Sequence, residues 1–172
     1  MAEGFGVAVT PDGTRVVCAS WDKTLRVWDL DTGRALHTLE GHTADVEAVA
    51  ATTDGERVVS GSRDHTLKVW DLNTGRVLRT LEGHSASVLG LAVTADGKRA
   101  VSASWDKTLK VWDLDSGLSI ATFHCDAPAY CCAFADYHRI VAGDAGGRVY
   151  ILSLEESGTR VPVTPLPKKI RH

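Results

Sequence analysis

Three Trp-Asp pairs, Trp28-Asp29, Trp70-Asp71 and Trp112-Asp113, stand at one interval of 42 residues. The same interval separates Gly41-His42 from Gly83-His84, and Asp12-Gly13 from Asp54-Gly55 and Asp96-Gly97. Unlike markers that share one period constrain the fold more tightly than any single motif: the chain is an array of like units. Residues 20–30 read SWDKTLRVWDL, 62–72 read SRDHTLKVWDL and 104–114 read SWDKTLKVWDL. Only the middle copy exchanges Trp for Arg after its serine.

Within each period the pattern is that of short strands. FGVAVT, RVVCAS, TLRVWDL and RALHTL are Val- and Leu-rich runs separated by PDG, WDK and DTG turns, where Asp caps and Gly supplies positive φ. No long stretch keeps a 3.6-residue apolar period. Four antiparallel strands per period follow, the innermost first and the outermost last. One such sheet has two apolar faces and cannot bury both alone; radial stacking covers each with a neighbour.

The ordered GH, DG, SxD and VWDL motifs resemble the WD40 β-propeller family, over roughly residues 5–154. The resemblance implies an all-β, WD40-type propeller of four four-stranded antiparallel blades. The blades are expected at about 5–40, 46–82, 88–123 and 129–154, with a further outer strand from 159–164 and a tail over 155–172. The fourth repeat is degenerate: Leu152-Ser153 stands for Trp-Asp, and Cys125-Asp126 for Gly-His. Its wording is similar to the C-terminal part of bacterial WD40 signalling proteins.

Charge and cysteines narrow the functional classes. A net charge of −3 gives no electrostatic basis for nucleic acid or an anionic membrane, and no apolar run nears the ~20 residues that cross a bilayer. Cys18, Cys125, Cys131 and Cys132 lie mostly in apolar strand runs, as buried thiols of a reducing, cytoplasmic compartment. Cys131 and Cys132 are neighbours on one strand, so they face opposite ways and do not share a metal ion. GDAGG at 143–147 lacks the spacing of a phosphate loop and reads as a turn. No cofactor is expected.

Two sets, His42, Ser60, Asp64, Trp70 and His84, Ser102, Asp106, Trp112, combine the residue types of a hydrolytic triad. A triad is needed once, in one cleft, whereas these recur at one phase of successive blades. Family resemblance implies a structural hydrogen-bond network, with Asp22 and Trp28 as its remnant in the first blade, where Cys18 replaces the serine. A hydrolase remains the weakest of three functional readings.

The position after the serine, Trp21, Arg63 and Trp105, is expected to open on one face, as are the starts of the innermost strands at Phe5, Glu47, Leu89 and Tyr130, with Asp45 beside Glu47. The resemblance implies partner contacts there, and Trp, Tyr and Arg dominate interface hot spots. A non-catalytic protein–protein interaction scaffold follows, binding a protein or peptide. The alternative is a regulatory propeller segment of a larger signalling NTPase or kinase. Four blades are few for a WD40 ring, by resemblance about seven or eight. Three closures are open: two chains making an eight-blade ring, the remainder of a longer propeller, or a closed four-blade ring.

Overall fold

The computed structural model describes residues 4–154 and 164–165, and of Gly4, Phe5, Thr164 and Pro165 only the backbone. Four antiparallel four-stranded sheets follow one another along the chain. The first holds β1 (Gly4–Val9), β2 (Arg15–Ser20), β3 (Leu25–Asp29) and β4 (Ala35–Leu39). The second holds β5 (Val46–Ala51), β6 (Arg57–Ser62), β7 (Leu67–Asp71) and β8 (Val77–Leu81); the third β9 (Val88–Val93), β10 (Arg99–Ser104), β11 (Thr108–Asp113) and β12 (Ser119–His124). The fourth holds β13 (Ala129–Phe134), β14 (Arg139–Asp144), β15 (Val149–Ser153) and β16 (Thr164–Pro165). The last strand falls at the end of the segment expected to supply it and pairs with β15; the rest of the expected tail lies outside the described residues.

The first strand of each sheet packs on the first strand of the next, β1 on β5, β5 on β9 and β9 on β13. These four are therefore the inner strands of a radial array. Among the described residues no comparable packing joins the fourth sheet to the first, so the four blades form an arc.

The core consists of three inter-blade layers. Val17, Ala19, Leu25, Val27 and Leu39 of blade 1 meet Val46, Val58, Trp70 and Leu72 of blade 2. Val59, Leu67, Val69 and Leu81 meet Val88, Ala100, Trp112 and Leu114. Val101, Ala103, Leu109 and Val111 meet Cys125, Ala129, Ile140, Ala142, Tyr150 and Leu152. Alternate strand residues thus serve opposite layers, as the period-2 pleat dictates. Each blade has a leading face toward its predecessor and a trailing face toward its successor.

At two glycines neighbouring blades approach so closely that a side chain is excluded. A Cβ on Gly90 would lie 2.7 Å from the Tyr130 carbonyl oxygen, and one on Gly61 would lie 2.6 Å from Val88 Cγ1. The lower rim is tied by arginines that cross between blades. Arg15 donates to the Gly55 carbonyl (2.8 Å) and Asn73 Oδ1 (3.0 Å), and Arg57 to the Gly97 carbonyl (3.0 Å) and Asp115 Oδ1 (3.1 Å).

Candidate functional site: the stapled loops and the upper face

The Ser-His-Asp-Trp sets come together in blades 2 and 3 as one repeated geometry. In blade 3, His84 Nδ1 lies 2.7 Å from Asp106 Oδ2 and Nε2 lies 2.7 Å from Ser102 Oγ, to which the Trp112 indole N–H donates at 2.8 Å. Blade 2 repeats it with His42, Asp64, Ser60 and Trp70 at 2.7, 2.7 and 2.8 Å. A neutral imidazole accounts for every proton: Nδ1–H donates to the carboxylate, the serine hydroxyl to Nε2, and the indole to the serine oxygen.

The carboxylates also cap loops. Asp106 accepts from the Ser85 N–H through Oδ2 (3.0 Å), and through Oδ1 from the Thr108 N–H and hydroxyl (2.9 and 2.6 Å); Asp64 accepts likewise from Thr43 and Thr66. Burial pushes the Asp106 carboxyl up, but the bonds from Thr108, Ser85 and His84 outweigh it and hold it at about 2. Asp64 is likewise held well below the usual carboxylate range, burial being outweighed by His42, Thr66 and Thr43. His84 shifts the other way for a base: burial lowers its pKa more than Asp106 raises it. Among the described residues no buried side-chain polar atom lacks a partner.

Chemically this is a staple. Ser60 and Ser102 are fully buried, and the oxygen that would attack an ester sits under a tryptophan. The loop before each inner strand is thereby fixed to the second and third strands of its own blade. Thr66 and Thr108 complete each set, and sequence reasoning missed them; Thr24, Thr66 and Thr108 stand at the 42-residue interval, which would have exposed them.

The outer blades depart from this plan. In blade 1, Asp22 holds the Thr24 N–H and hydroxyl and pairs with Arg26 instead of a histidine. Trp28 is only half-buried on the uncovered leading face, so the expected remnant of the network is a local turn. Blade 4 carries a substitute. The Tyr150 hydroxyl donates to Asp144 Oδ2 at 2.7 Å and accepts from the Asp126 N–H at 3.1 Å, while Asp144 Oδ1 caps Gly146 and Arg148. Tyr150 thus ties the inter-blade loop to its own blade, as the His84 staple does in blade 3, and Arg148 adds an ion pair to Asp126. Cys132 donates its thiol to the Val101 carbonyl and burial raises its pKa strongly, whereas Cys131 is exposed on the opposite side of the strand.

On the upper face, five of the expected contact residues line one cavity of about 300 Å³: Glu47, Arg63, Leu89, Trp105 and Tyr130, together with Ser87. Inner-strand starts and β2–β3-type turns converge because Arg63 N–H donates to the Asp45 carbonyl and Trp105 N–H to that of Ser87. Trp105 is 55% and Tyr130 48% exposed, and the indole N–H donates to the tyrosine hydroxyl at 3.3 Å. Arg63 pairs with Glu47 through Nε and with Asp45 at 3.4 Å. One groove therefore sets the aromatic Trp105 and Tyr130 beside the ionic Arg63 and Glu47. Trp21 is exposed but does not line this cavity, and the Phe5 side chain lies outside the described residues.

Comparison with known proteins agrees with this geometry. Residues 84–154 match the family described as the TEP-1 C-terminal beta-propeller, and residues 5–29 and 33–71 match the WD domain, G-beta repeat. A probable serine/threonine-protein kinase, PkwA, of Thermomonospora curvata is 48% identical over 46 residues, which is 27% of this chain and 6% of that protein. The WD repeat-containing protein VIP3 of Arabidopsis thaliana is 42% identical over 45 residues (26% and 14%), and the dynein assembly factor with WD repeat domains 1 of Xenopus laevis 44% over 43 (25% and 10%). Each match spans about one repeat and a small part of the relative's length. Repeats, blades and both family matches agree: the chain belongs to the WD40-repeat family of β-propeller proteins.

Proposed function

We propose that this protein is a non-catalytic protein–protein interaction scaffold of the cytoplasm, binding a protein or peptide segment on its upper face. The observation that carries the proposal is the groove in which exposed Trp105 and Tyr130 stand against the Asp45–Arg63–Glu47 ion cluster. Large aromatic rings at a rim beside fixed charges supply both the burial and the orientation that a binding hot spot needs. A segment with an apolar anchor next to a charged residue fits the two walls. Net charge −3 and four free thiols suit a protein ligand in a reducing compartment rather than nucleic acid or membrane. Self-association that completes the ring belongs to the same proposal.

The experiment is affinity capture with the wild type against a Trp21→Ala/Trp105→Ala double variant of unchanged thermal stability. Loss of specific partners from the variant supports the upper face; identical partner sets remove it.

The match to a probable serine/threonine-protein kinase favours a second reading, in which the propeller is a regulatory segment of a larger signalling enzyme. An in-frame kinase or NTPase domain in the coding sequence upstream of Met1 would support it, and an in-frame stop there would remove it.

A further inference from the structure

The two ends of the arc expose faces that are buried at every internal junction. On the leading face of blade 1, Leu30 is 47% exposed where Leu72 and Leu114 are buried, and Val7 is 67% exposed where Val49 and Leu91 pack inward. The turn glycines agree: a Cβ on Gly13 or Gly33 would meet nothing within 4 Å, whereas their counterparts Gly55, Gly75, Gly97 and Gly117 are all covered by the preceding blade. On the trailing face of blade 4, Val149 is exposed where Leu67 and Leu109 are buried.

The two faces also differ from the internal ones in compensating ways. At each internal junction the residue at the first ladder position of an inner strand inserts over a small residue of the preceding blade. Val88, paired with Ser104, lies over Gly61; Val46, paired with Ser62, shares a buried cluster with Ala19, which stands 42 residues before Gly61, and Ala129, paired with Asp144, shares one with Ala103. The inner-strand position beside this niche is kept small, as Gly6, Ala48 and Gly90. Blade 4 reverses the arrangement. Cys131 takes the place of Gly90, and its Sγ would lie 3.0 Å from a Cβ on Gly143, filling the niche from within its own blade. A following blade that began with valine would collide with this sulfur. The chain's own first blade begins with Gly4, paired with Ser20 as Val46 is with Ser62.

The lower rim offers a second, independent match. Arg15 and Arg57 each reach forward to a turn carbonyl and an Asn or Asp of the next blade. Arg139 of blade 4 holds the same strand position, at the head of the second strand and facing the third-strand serine Ser153. At the 42-residue interval, the acceptors that correspond to Gly55 and Asn73 in blade 1 are Gly13 and Asp31.

Resting on the self-association proposed above, we infer that the trailing face of blade 4 receives the leading face of blade 1 from a second copy of this chain. In that junction Cys131 lies over Gly4, and Arg139 reaches the Gly13 carbonyl and the Asp31 carboxylate. Two such junctions, related by a two-fold axis, close eight blades, within the range of closed propellers.

Light scattering on the eluting full chain tests this. The expected mass is twice 18.4 kDa; a monomer at micromolar concentration overturns the proposal. Gly4→Val is expected to raise the dimer dissociation constant by about tenfold or more through overpacking against the sulfur, and Gly4→Val with Cys131→Gly to restore it. Asp31→Arg and Arg139→Asp are each expected to weaken the dimer and together to recover it, without touching a buried side chain. A dimer indifferent to both exchanges overturns this junction even if the chain self-associates. Partner capture by the upper face is read separately, so either result stands without the other.

Discussion

Tyr150 donates its phenolic hydrogen to Asp144 across 2.7 Å in the one blade whose sequence carries neither the histidine nor the tryptophan of the repeat. The same hydroxyl holds the loop at Asp126. Tyr150→Phe is expected to cost about 1–2 kcal/mol, one buried bond to a charged group together with the loop contact. Urea denaturation followed by fluorescence measures it; an unchanged midpoint would remove Tyr150 as blade 4's staple.

His84→Ala and His42→Ala are each expected to destabilise by about 2–4 kcal/mol. Either change leaves a serine hydroxyl and a carboxylate without their shared partner in the interior. Equal losses at the two positions are expected because the distances repeat. A thermal melt that did not move for either variant would contradict the staple.

Acid stability follows from the same groups. His84 has a lowered pKa in the folded state, so its contribution is fully present above the unfolded value near 6.5 and declines as pH falls through its folded value. Asp106, held at about 2 against 3.8, contributes above 3.8 and loses its contribution as pH falls toward 2. In both windows the unfolded chain binds more protons, so both limbs slope downward with acid. Melting temperature against pH should show the upper limb flattened in His84→Asn, with the lower limb reduced in Asp106→Asn.

Gly90→Ala is expected to be worse than Gly61→Ala. The new methyl at Gly90 meets backbone, the Tyr130 carbonyl at 2.7 Å, whereas at Gly61 it meets the Val88 side chain. Overpacking costs about 1–3 kcal/mol, and Val88→Ala should recover much of the loss at Gly61 but none at Gly90. Double-mutant cycles in denaturant decide it.

The blades and the staples were legible because both are written in the 42-residue interval. The groove was legible as a residue set: Arg63, Trp105, Glu47, Leu89 and Tyr130 sit on loops whose phase the repeat dictates. Their pairing was not, since whether Arg63 turns to Asp45, Glu47 or solvent depends on side-chain rotamers. Tyr150 escaped notice because it stands where the other repeats have Arg26, Lys68 and Lys110 and reaches inward from there. The turns also hide a feature: Lys23, His65 and Lys107 take positive φ near 70°, a conformation that sequence reasoning assigns to glycine, and only blade 4 supplies Gly147 there.

Because each inner strand packs only on its neighbours, the free energy of the array is nearly a chain of nearest-neighbour terms. Blades 2 and 3 have two such terms each and the end blades one. Amide hydrogen exchange in a lone arc should therefore be slowest in β6, β7, β10 and β11 and fastest in β1–β4 and β13–β15. In a closed ring that gradient would vanish, and the slowest-exchanging amides would be shared among all four blades.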